Sequence, residues 1–254
     1  MLQLQQVSKS FAGNHAPALE PITLDIARNE ILVILGSSGS GKSTLLKLIN
    51  RLITPTSGKV LFQQRDLEDY DPVTLRRSIG YVFQGIGLLP HMNVASNVSI
   101  VPHLSGVSIN KCSQLATRYL QQVNLDPATY ARRFPHELSG GQQQRIGVAR
   151  ALATEAELLL MDEPFGALDA ITRDQLQQEL LTIKQQLSKT IVFVTHDIFE
   201  ALTLADRIAV LHNGCLQQIG NKQEIINNPA TRFVHQLFQK PLQQIEQLRS
   251  HSAI

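Results

Sequence analysis

A glycine-rich loop between a buried strand and a helix constrains this chain more than any other feature. The loop reads GSSGSGKST and fits the pattern G-x-x-x-x-G-K-[ST]. Before it stands ILVIL (31–35), an apolar run typical of a strand buried on both faces, and after it STLLKLINRL carries a helical repeat. Glycines let backbone N–H groups curl around phosphate oxygens, and the helix N-terminus adds partial positive charge. The sequence therefore predicts a phosphate-binding loop made of Gly36, Ser37, Ser38, Gly39, Ser40, Gly41, Lys42, Ser43 and Thr44.

Within this loop, two side chains have predicted chemical roles. Lys42 is expected to reach the β- and γ-phosphates of a nucleotide, and the Ser43 hydroxyl can ligate Mg²⁺. The alternative is a glycine- and serine-rich turn with an unrelated lysine, and the strand and helix on either side argue against it.

Two further apolar runs, ELLLMDEP and TIVFVTHD, each follow an amphipathic helical stretch. That alternation predicts a parallel sheet with crossover helices. The first thirty residues alternate like antiparallel strands, and RIAVLHNGCLQQIG places Asn213-Gly214 between two strands, which is typical of a hairpin. We therefore expect an α/β P-loop NTPase fold with a mostly parallel core sheet and an antiparallel β subdomain. A helical insertion is predicted over about 87–150, within one domain spanning 1–238, followed by a short helical tail at 239–254.

Composition excludes several classes of protein. The 254 residues carry 23 Lys+Arg against 21 Asp+Glu, and this net charge of +2 argues against a nucleic-acid stripe or a polybasic membrane arm. No run of 18 apolar residues occurs, and the start alternates instead of forming a signal peptide, so we expect no membrane-spanning segment. Cys112 and Cys215 have no metal-binding spacing, which favours two reduced thiols.

Two acidic residues follow the run ELLLM, where ligands bind in open α/β sheets. Asp162 is predicted to bind Mg²⁺ or its water, and Glu163 is predicted to polarise the water that attacks the γ-phosphate. The alternative is that both acids cap the turn that continues through Pro164.

A second glycine-rich element, LSGGQ, precedes another helical stretch. Ser139 is a natural N-cap, and the glycines at 140 and 141 expose backbone N–H groups. Because this second anion-binding helix start lies about a hundred residues from the first, we predict a composite site, in which one copy of the chain closes over the nucleotide of another. The residues assigned to it are Ser139, Gly140, Gly141 and Gln142.

With these motifs the chain resembles the ATPase subunits of ABC transporters, whose signature reads LSGGQ, from about residue 2 to about 238. The resemblance implies bound ATP and Mg²⁺ and roles for four further residues. Phe11 would stack on adenine, Gln84 would touch Mg²⁺ and sense the membrane subunit, Asp169 in FGALD would span a dimer seam, and His196 would contact the γ-phosphate. A core position for Phe11 and a polar loop position for Gln84 remain alternatives. The implied catalytic set is Glu163, His196, Gln84 and Lys42, and the implied metal ligands are Ser43, Gln84 and Asp162.

The resemblance also implies partners. It predicts a head-to-tail homodimer, or a pair with a like subunit, around two ATP molecules. It further predicts separate transmembrane permease subunits, an extracytoplasmic solute-binding protein and a place on the cytoplasmic face of the membrane. The stretch GIGLLPHMNVASNV (85–98) is expected to meet the permease through exposed Ile86, Leu88, Leu89 and Met92, unless these side chains pack internally.

Two stretches indicate one group within this family. QGIGLLPHM and FGALDAITRDQLQ are similar to ATPases of type I importers for glycine betaine, choline and carnitine. That group often carries C-terminal regulatory nucleotide-binding modules, and we expect none in a chain that ends at Ile254. The alternatives are an importer for another solute such as amino acids, a non-transport ABC-type ATPase, and a P-loop kinase, although a kinase would not need LSGGQ. The many glutamine pairs stand at positions that look like surface.

Overall fold

The structure is a computed structural model that describes residues 1–13, 16–85, 87–166 and 168–251. The strands are β1 (Leu2–Lys9), β2 (Leu19–Ile26), β3 (Ile31–Leu35), β4 (Ser57–Phe62), β5 (Arg65–Asp66), β6 (Ile79–Val82), β7 (Leu158–Asp162), β8 (Thr190–Thr195), β9 (Arg207–His212) and β10 (Cys215–Gly220). The helices are α1 (Lys42–Ile49), α2 (Pro72–Arg77), α3 (Val94–Leu104), α4 (Ile109–Gln122), α5 (Pro127–Tyr130), α6 (Gly140–Leu152), α7 (Ala170–Leu187), α8 (Ile198–Leu204), α9 (Lys222–Asn227) and α10 (Arg232–His251).

Two sheets organise the chain. The larger has six strands in the order β10-β9-β3-β8-β7-β6, and its neighbours pair in parallel except for the antiparallel β9–β10 hairpin. Asn213 and Gly214 have φ of 48° and 76°, the left-handed values that a tight hairpin turn needs. The smaller sheet is antiparallel, in the order β2-β1-β4-β5. The predicted α/β P-loop fold with an antiparallel subdomain is confirmed.

Alternate residues of the central strands point to opposite faces of the larger sheet and supply two separate cores. In β3, Val33 and Leu35 pack with α6, α8 and the helices between β6 and β7, whereas Leu32 and Ile34 pack with α1 and the smaller sheet. Every residue of β3, β7 and β8 is buried. This burial on both faces explains why these strands are continuous apolar runs in the sequence.

Helices α3 to α6 lie between β6 and β7, in the part of the chain where the sequence predicts a helical insertion. The glutamine pairs are not uniformly superficial, because Gln144 in α6 and Gln177 in α7 are 3% and 7% exposed. The interpretation that these pairs mark surface is therefore wrong at two positions. Both lie on helix faces that turn towards the rest of the protein.

The two cysteines differ in burial. Cys112 is buried, Cys215 is half-buried, and both are free thiols. Within the described ranges, no helix combines the length and the apolarity needed to cross a bilayer.

Candidate active site

Four neighbouring strands of the larger sheet end at one edge, and each is followed by a predicted site residue. The glycine-rich loop follows β3, Asp162 ends β7 and Glu163 follows it, His196 follows β8, and Gln84 follows β6. The parallel register pairs Leu35 with Thr195 and Asp162 with Val194, which aligns these strand ends. The edge is the one where open α/β sheets bind ligands.

The loop between β3 and α1 needs glycine at three positions for steric reasons. A Cβ on Gly36 would lie 2.4 Å from Leu211 O, and a Cβ on Gly41 would lie 2.7 Å from Ala18 O. Gly39 has φ of 78° and Gly41 has φ of 102°, which side-chain-bearing residues rarely adopt. Beside Gly39 the space is open, so a phosphate could approach the backbone closely there.

The Lys42 ammonium is buried at the base of this loop, with only 4% of the side chain exposed. It donates hydrogen bonds to Gly36 O (2.8 Å) and Ser37 O (3.0 Å) and lies 3.7 Å from Glu163 Oε1. Burial lowers the pKa of Lys42, although the Glu163 carboxylate opposes that shift. Polyphosphate oxygens would supply the negative charge that a desolvated ammonium lacks, so the site fits a nucleotide triphosphate.

Ser43 and Asp162 form a pair of oxygen ligands beside Lys42. Ser43 Oγ donates to Asp162 Oδ1 at 3.1 Å. Burial raises the pKa of Asp162, and the hydrogen bond from Ser43 acts in the opposite direction. A hydroxyl and a carboxylate suit Mg²⁺, which keeps several waters or phosphate oxygens as its other ligands. Across the described ranges, His, Cys, Asp and Glu side chains form no metal-binding cluster of three or more.

Glu163 is the residue on which the other predicted catalytic groups converge. Its Oε2 accepts a hydrogen bond from Gln84 Nε2 (3.3 Å) and lies 3.2 Å from His196 Nδ1. The backbone of Glu163 is in the left-handed region (φ 44°), and its N–H donates to Val194 O at 3.0 Å. Because the amide nitrogen of Gln84 donates to Glu163, its amide oxygen remains available to a metal cation. The Glu163 carboxylate is thus held among the Lys42 ammonium, the Gln84 amide and the His196 imidazole.

A cleft of about 290 Å³ opens above these groups. Its lining residues are Ala18, Ser38, Gly39, Gly41, Lys42, Ser43, Thr44, Gln84 and Glu163. Ala18 is the member that sequence reasoning missed. It precedes β2 and reaches the loop through a tertiary contact with Gly41, for which the sequence carries no signal.

The second glycine-rich element is formed but stands apart from this cleft. Ser139 caps α6: its Oγ accepts from Gln142 N (3.3 Å), and Gln142 Oε1 accepts from Ser139 N (3.0 Å). A Cβ on Gly140 would meet no atom within 4 Å, whereas one on Gly141 would lie 2.7 Å from Thr172 Cγ2. Residues 139–142 are not among the described residues that line the cleft around Lys42.

Phe11 and Asp169 also lie outside the lining of the cleft. Phe11 is 40% exposed, with Lys9 Nζ 5.2 Å from its ring centroid, so it is not the core phenylalanine considered as an alternative. Asp169 caps α7 by accepting hydrogen bonds from Ile171 N (3.1 Å) and Thr172 N (3.0 Å). A single chain therefore brings together Lys42, Ser43, Gln84, Asp162, Glu163 and His196.

The stretch 85–98, predicted to meet a permease through exposed apolar side chains, is arranged differently. Ile86 lies outside the described residues. Leu88, Leu89 and Met92 are half-buried, and Leu88 packs against the core, so the expectation that they are exposed is wrong. Asn97, fully buried, holds this stretch through hydrogen bonds with both the N–H (2.8 Å) and the carbonyl (3.1 Å) of Leu89.

The exposed aromatic side chain of this region is Phe83, which is 45% exposed and precedes Gln84. Arg150 of α6 approaches it, with the guanidinium carbon 5.9 Å from the ring centroid. Arg150 NH1 also donates to Gly87 O at 2.7 Å. The helix that begins at the second glycine-rich element is thereby joined to the loop that carries Gln84.

Comparison with known proteins identifies the family of this chain. Residues 19–166 match the family described as ABC transporter. The chain belongs to the ABC transporter family. It is 44% identical over 238 residues to the glycine betaine uptake system ATP-binding protein YehX of Escherichia coli. This match covers 94% of this chain and 76% of YehX.

Two Bacillus subtilis relatives are more similar in sequence but longer. The glycine betaine/carnitine/choline transport ATP-binding protein OpuCA is 52% identical over 240 residues, and the choline transport ATP-binding protein OpuBA is 50% identical over 240 residues. The matches cover 94% of this chain, which spans 63% and 62% of their lengths.

A dimeric structure of an ATP-binding cassette in a post-hydrolysis state, bound to ADP and Pi, has the same fold. Its TM-score is 0.78 at 35% identity, over 87% of this chain and 98% of that one.

Proposed function

We propose that this chain is the ATP-hydrolysing subunit of an ABC importer that powers the uptake of a quaternary-ammonium osmoprotectant such as glycine betaine or choline. One observation carries the hydrolytic part: Glu163 lies within 3.7 Å of Lys42, 3.3 Å of Gln84 and 3.2 Å of His196. The importer part is supported by relatives such as OpuCA and YehX, whose names describe glycine betaine transport or uptake.

In the proposed reaction the chain positions ATP and a water molecule. Backbone N–H groups of the glycine-rich loop and the Lys42 ammonium hold the phosphates. Ser43, Asp162 and Gln84 would hold Mg²⁺, which when bound withdraws charge from the phosphate oxygens. Glu163 accepts the proton of the attacking water, and His196 and Gln84 keep the carboxylate oriented. Phe11, whose ring is 40% exposed, stacks on the adenine.

A second copy, or a like subunit, completes the site with its own residues 139–142. The free space around Gly140 and the capped start of α6 favour close approach of a phosphate there. Asp169 lies at the seam between the two copies. The similar solved cassette is a dimer, which supports this arrangement.

The membrane partners are separate permease subunits that dock near Phe83 and the loop that follows it. An extracytoplasmic solute-binding protein delivers the cargo to them. The chain itself works on the cytoplasmic face of the membrane, peripheral to the bilayer. Closure of the ATPase pair then moves the permease between inward and outward states.

Reconstitution of the chain with its permease and binding protein in liposomes tests this proposal. With Mg²⁺-ATP present on the side of the ATPase subunit, we expect uptake of labelled glycine betaine or choline and none in a matched Glu163→Gln complex. Uptake of amino acids alone would overturn the cargo assignment. Hydrolysis of ATP with no uptake of any solute would favour a non-transport ATPase.

A further inference from the structure

Arg173, in the first turn of α7, makes contacts on two sides of the candidate site. Its NH2 donates to Leu168 O at 3.0 Å, beside Asp169. Its NH1 donates to Asp197 Oδ2 at 3.3 Å, and its Nε lies 3.8 Å from Glu200 Oε1. One guanidinium therefore spans the loop before α7 and the start of α8.

The two carboxylates that face Arg173, those of Asp197 and Glu200, interact with the residues on either side of His196. Asp197 follows the histidine, caps α8 by accepting from Phe199 N at 2.7 Å, and donates its own N–H to Thr195 Oγ1 at 2.9 Å. Thr195 precedes the histidine and donates its hydroxyl to Glu200 Oε2 at 2.5 Å. His196 thus stands between Asp197, which binds Arg173 directly, and Thr195, which is hydrogen-bonded to Glu200 beside Arg173.

We propose that Arg173 is a positioning residue that couples Asp169, through Leu168, to His196. The proposal rests on the proposed function, because it assigns the coupling to ATP hydrolysis. The guanidinium donors have fixed directions, so a shift of Leu168 changes the position of Asp197 and, with it, of the imidazole. Since Asp169 is proposed to lie at the seam, arrival of a second copy is sensed at His196 through Arg173.

The competing explanation is that Arg173 only stabilises the packing of α7 on α8. Arg173 and Asp197 are 31% and 26% exposed, and an ion pair of such exposure contributes little to stability. Glu200 is only 4% exposed, but its contact with Arg173 is a 3.8 Å ion pair in which Nε makes no hydrogen bond to any described residue. Positioning and packing therefore predict different outcomes. If Arg173 positions His196, its replacement should lower kcat strongly and the melting temperature little. If it only packs α7 on α8, its replacement should lower the melting temperature strongly and kcat little.

Kinetics of Arg173→Met in the purified chain separate the two explanations. Lys184→Met is the matched control, because Lys184 lies in the same helix and forms an ion pair with Asp206 at 3.0 Å, away from His196. We expect kcat to fall about tenfold or more in Arg173→Met. KM for ATP and the melting temperature should stay close to the unsubstituted values. Arg173→Lys keeps the charge but loses the two-sided donor geometry, so its kcat should be intermediate, and Lys184→Met should change none of these quantities.

A double substitution tests whether the contact to Asp197 carries the effect. Asp197→Asn keeps an oxygen that can cap α8 but removes the charge that faces Arg173. If the two residues act together, adding Asp197→Asn to Arg173→Met lowers kcat little further. If the fold-losses in kcat of the two single variants instead multiply in the double variant, the two residues act independently and the coupling does not run through this pair.

Hydrogen exchange provides a readout that does not depend on hydrolysis. We expect Arg173→Met to speed amide exchange in peptides covering both 168–172 and 196–200, and Lys184→Met to leave both unchanged. Unchanged exchange in either segment, or an unchanged kcat in Arg173→Met, would overturn the coupling while leaving the proposed function intact. If the unsubstituted chain does not hydrolyse ATP, the proposed function fails, and the proposal, which assigns the coupling to hydrolysis, fails with it. If Arg173→Met then still speeds exchange in both 168–172 and 196–200, the two segments are physically linked, and the failure lies in the proposed function and not in that link.

Discussion

His196 Nδ1 lies 3.2 Å from Glu163 Oε2, although the two residues follow different strands. The contact is possible because β7 and β8 are parallel neighbours, and the last residue of β7, Asp162, lies opposite Val194, one residue before the end of β8. An imidazole beside the carboxylate can hold it in one orientation. The position of the proposed base is therefore set by the larger sheet and not by the conformation of a single loop.

Replacing Glu163 with glutamine should abolish ATP hydrolysis while preserving ATP binding. The amide cannot accept the proton of water, but it keeps the size of the side chain and can still contact Gln84. We expect Glu163→Gln to accumulate as an ATP-bound dimer, measured by light scattering after gel filtration. Glu155→Gln is the control, because Glu155 also has a left-handed backbone (φ 56°) and precedes the other end of β7. Ordinary turnover in Glu163→Gln would remove it as the water-activating group.

Lys42→Ala should lose the stabilisation that ATP gives to the folded chain. A ligand at a hundred times its Kd stabilises the native state by about 2.7 kcal/mol. Thermal unfolding with and without Mg²⁺-ATP should show an upward shift of Tm in the unsubstituted chain and none in Lys42→Ala. Lys111→Ala, on α4, is the control and should keep the shift. An equal shift in Lys42→Ala would contradict the phosphate-binding role.

A mixture of Ser139→Arg and Lys42→Ala chains should recover activity that neither variant has alone. If one copy supplies the loop at Lys42 and the other supplies Ser139, the mixed dimer contains one site with both substitutions and one site with neither. We expect hydrolysis by the mixture, measured against each variant at the same total concentration. Mixtures as inactive as the separate variants would contradict head-to-tail sharing.

The adjacent glycines 140 and 141 should respond differently to alanine. A Cβ on Gly141 would lie 2.7 Å from Thr172 Cγ2, so Gly141→Ala should lower the free energy of unfolding by about 1–3 kcal/mol, measured by urea denaturation. Adding Thr172→Ala should recover most of that loss. Gly140→Ala meets no atom within 4 Å, so its stability should not fall, and any loss of hydrolysis would then report lost phosphate access. Equal effects on stability at both positions would contradict this account.

The buried carboxyl of Glu200 should make stability depend on pH. Burial raises the pKa of Glu200 above its ordinary value of 4.5, so the native state binds the proton more tightly than the unfolded state. Its contribution is present below about pH 4.5 and is lost as the pH rises through the raised pKa. Glu200→Gln can still accept the hydrogen bond from Thr195 and has no proton to lose. The difference in unfolding free energy between the two proteins should therefore favour the variant increasingly with pH; a constant difference would contradict the assignment.

Much of the site could be predicted from the sequence because its residues adjoin recognisable strands. Lys42 follows ILVIL, Glu163 follows ELLLM, and His196 follows TIVFVT, so a parallel sheet alone brings them to one edge. Gln84 follows the shorter strand β6 in the same way.

Side chains whose surroundings come from distant segments could not be predicted in the same way. Ala18 and Leu88 gain their roles from tertiary packing, and Gln177 is buried although its neighbour Gln178 is exposed. Arg173 resembles any charged residue on a helix, because its partners at 197 and 200 approach only when α8 packs beside α7. The local sequence pattern carries no information about such tertiary contacts.

The alternation of the central strands between two cores limits how proteins of this kind can diverge. Inserting one residue within β7 would exchange the side chains of the two cores and displace Glu163 from His196 at the same time. Length changes are therefore tolerable in the connections but not in these strands. The connection that holds α3 to α5, between β6 and β7, can change in length while the residues at the strand ends stay in place.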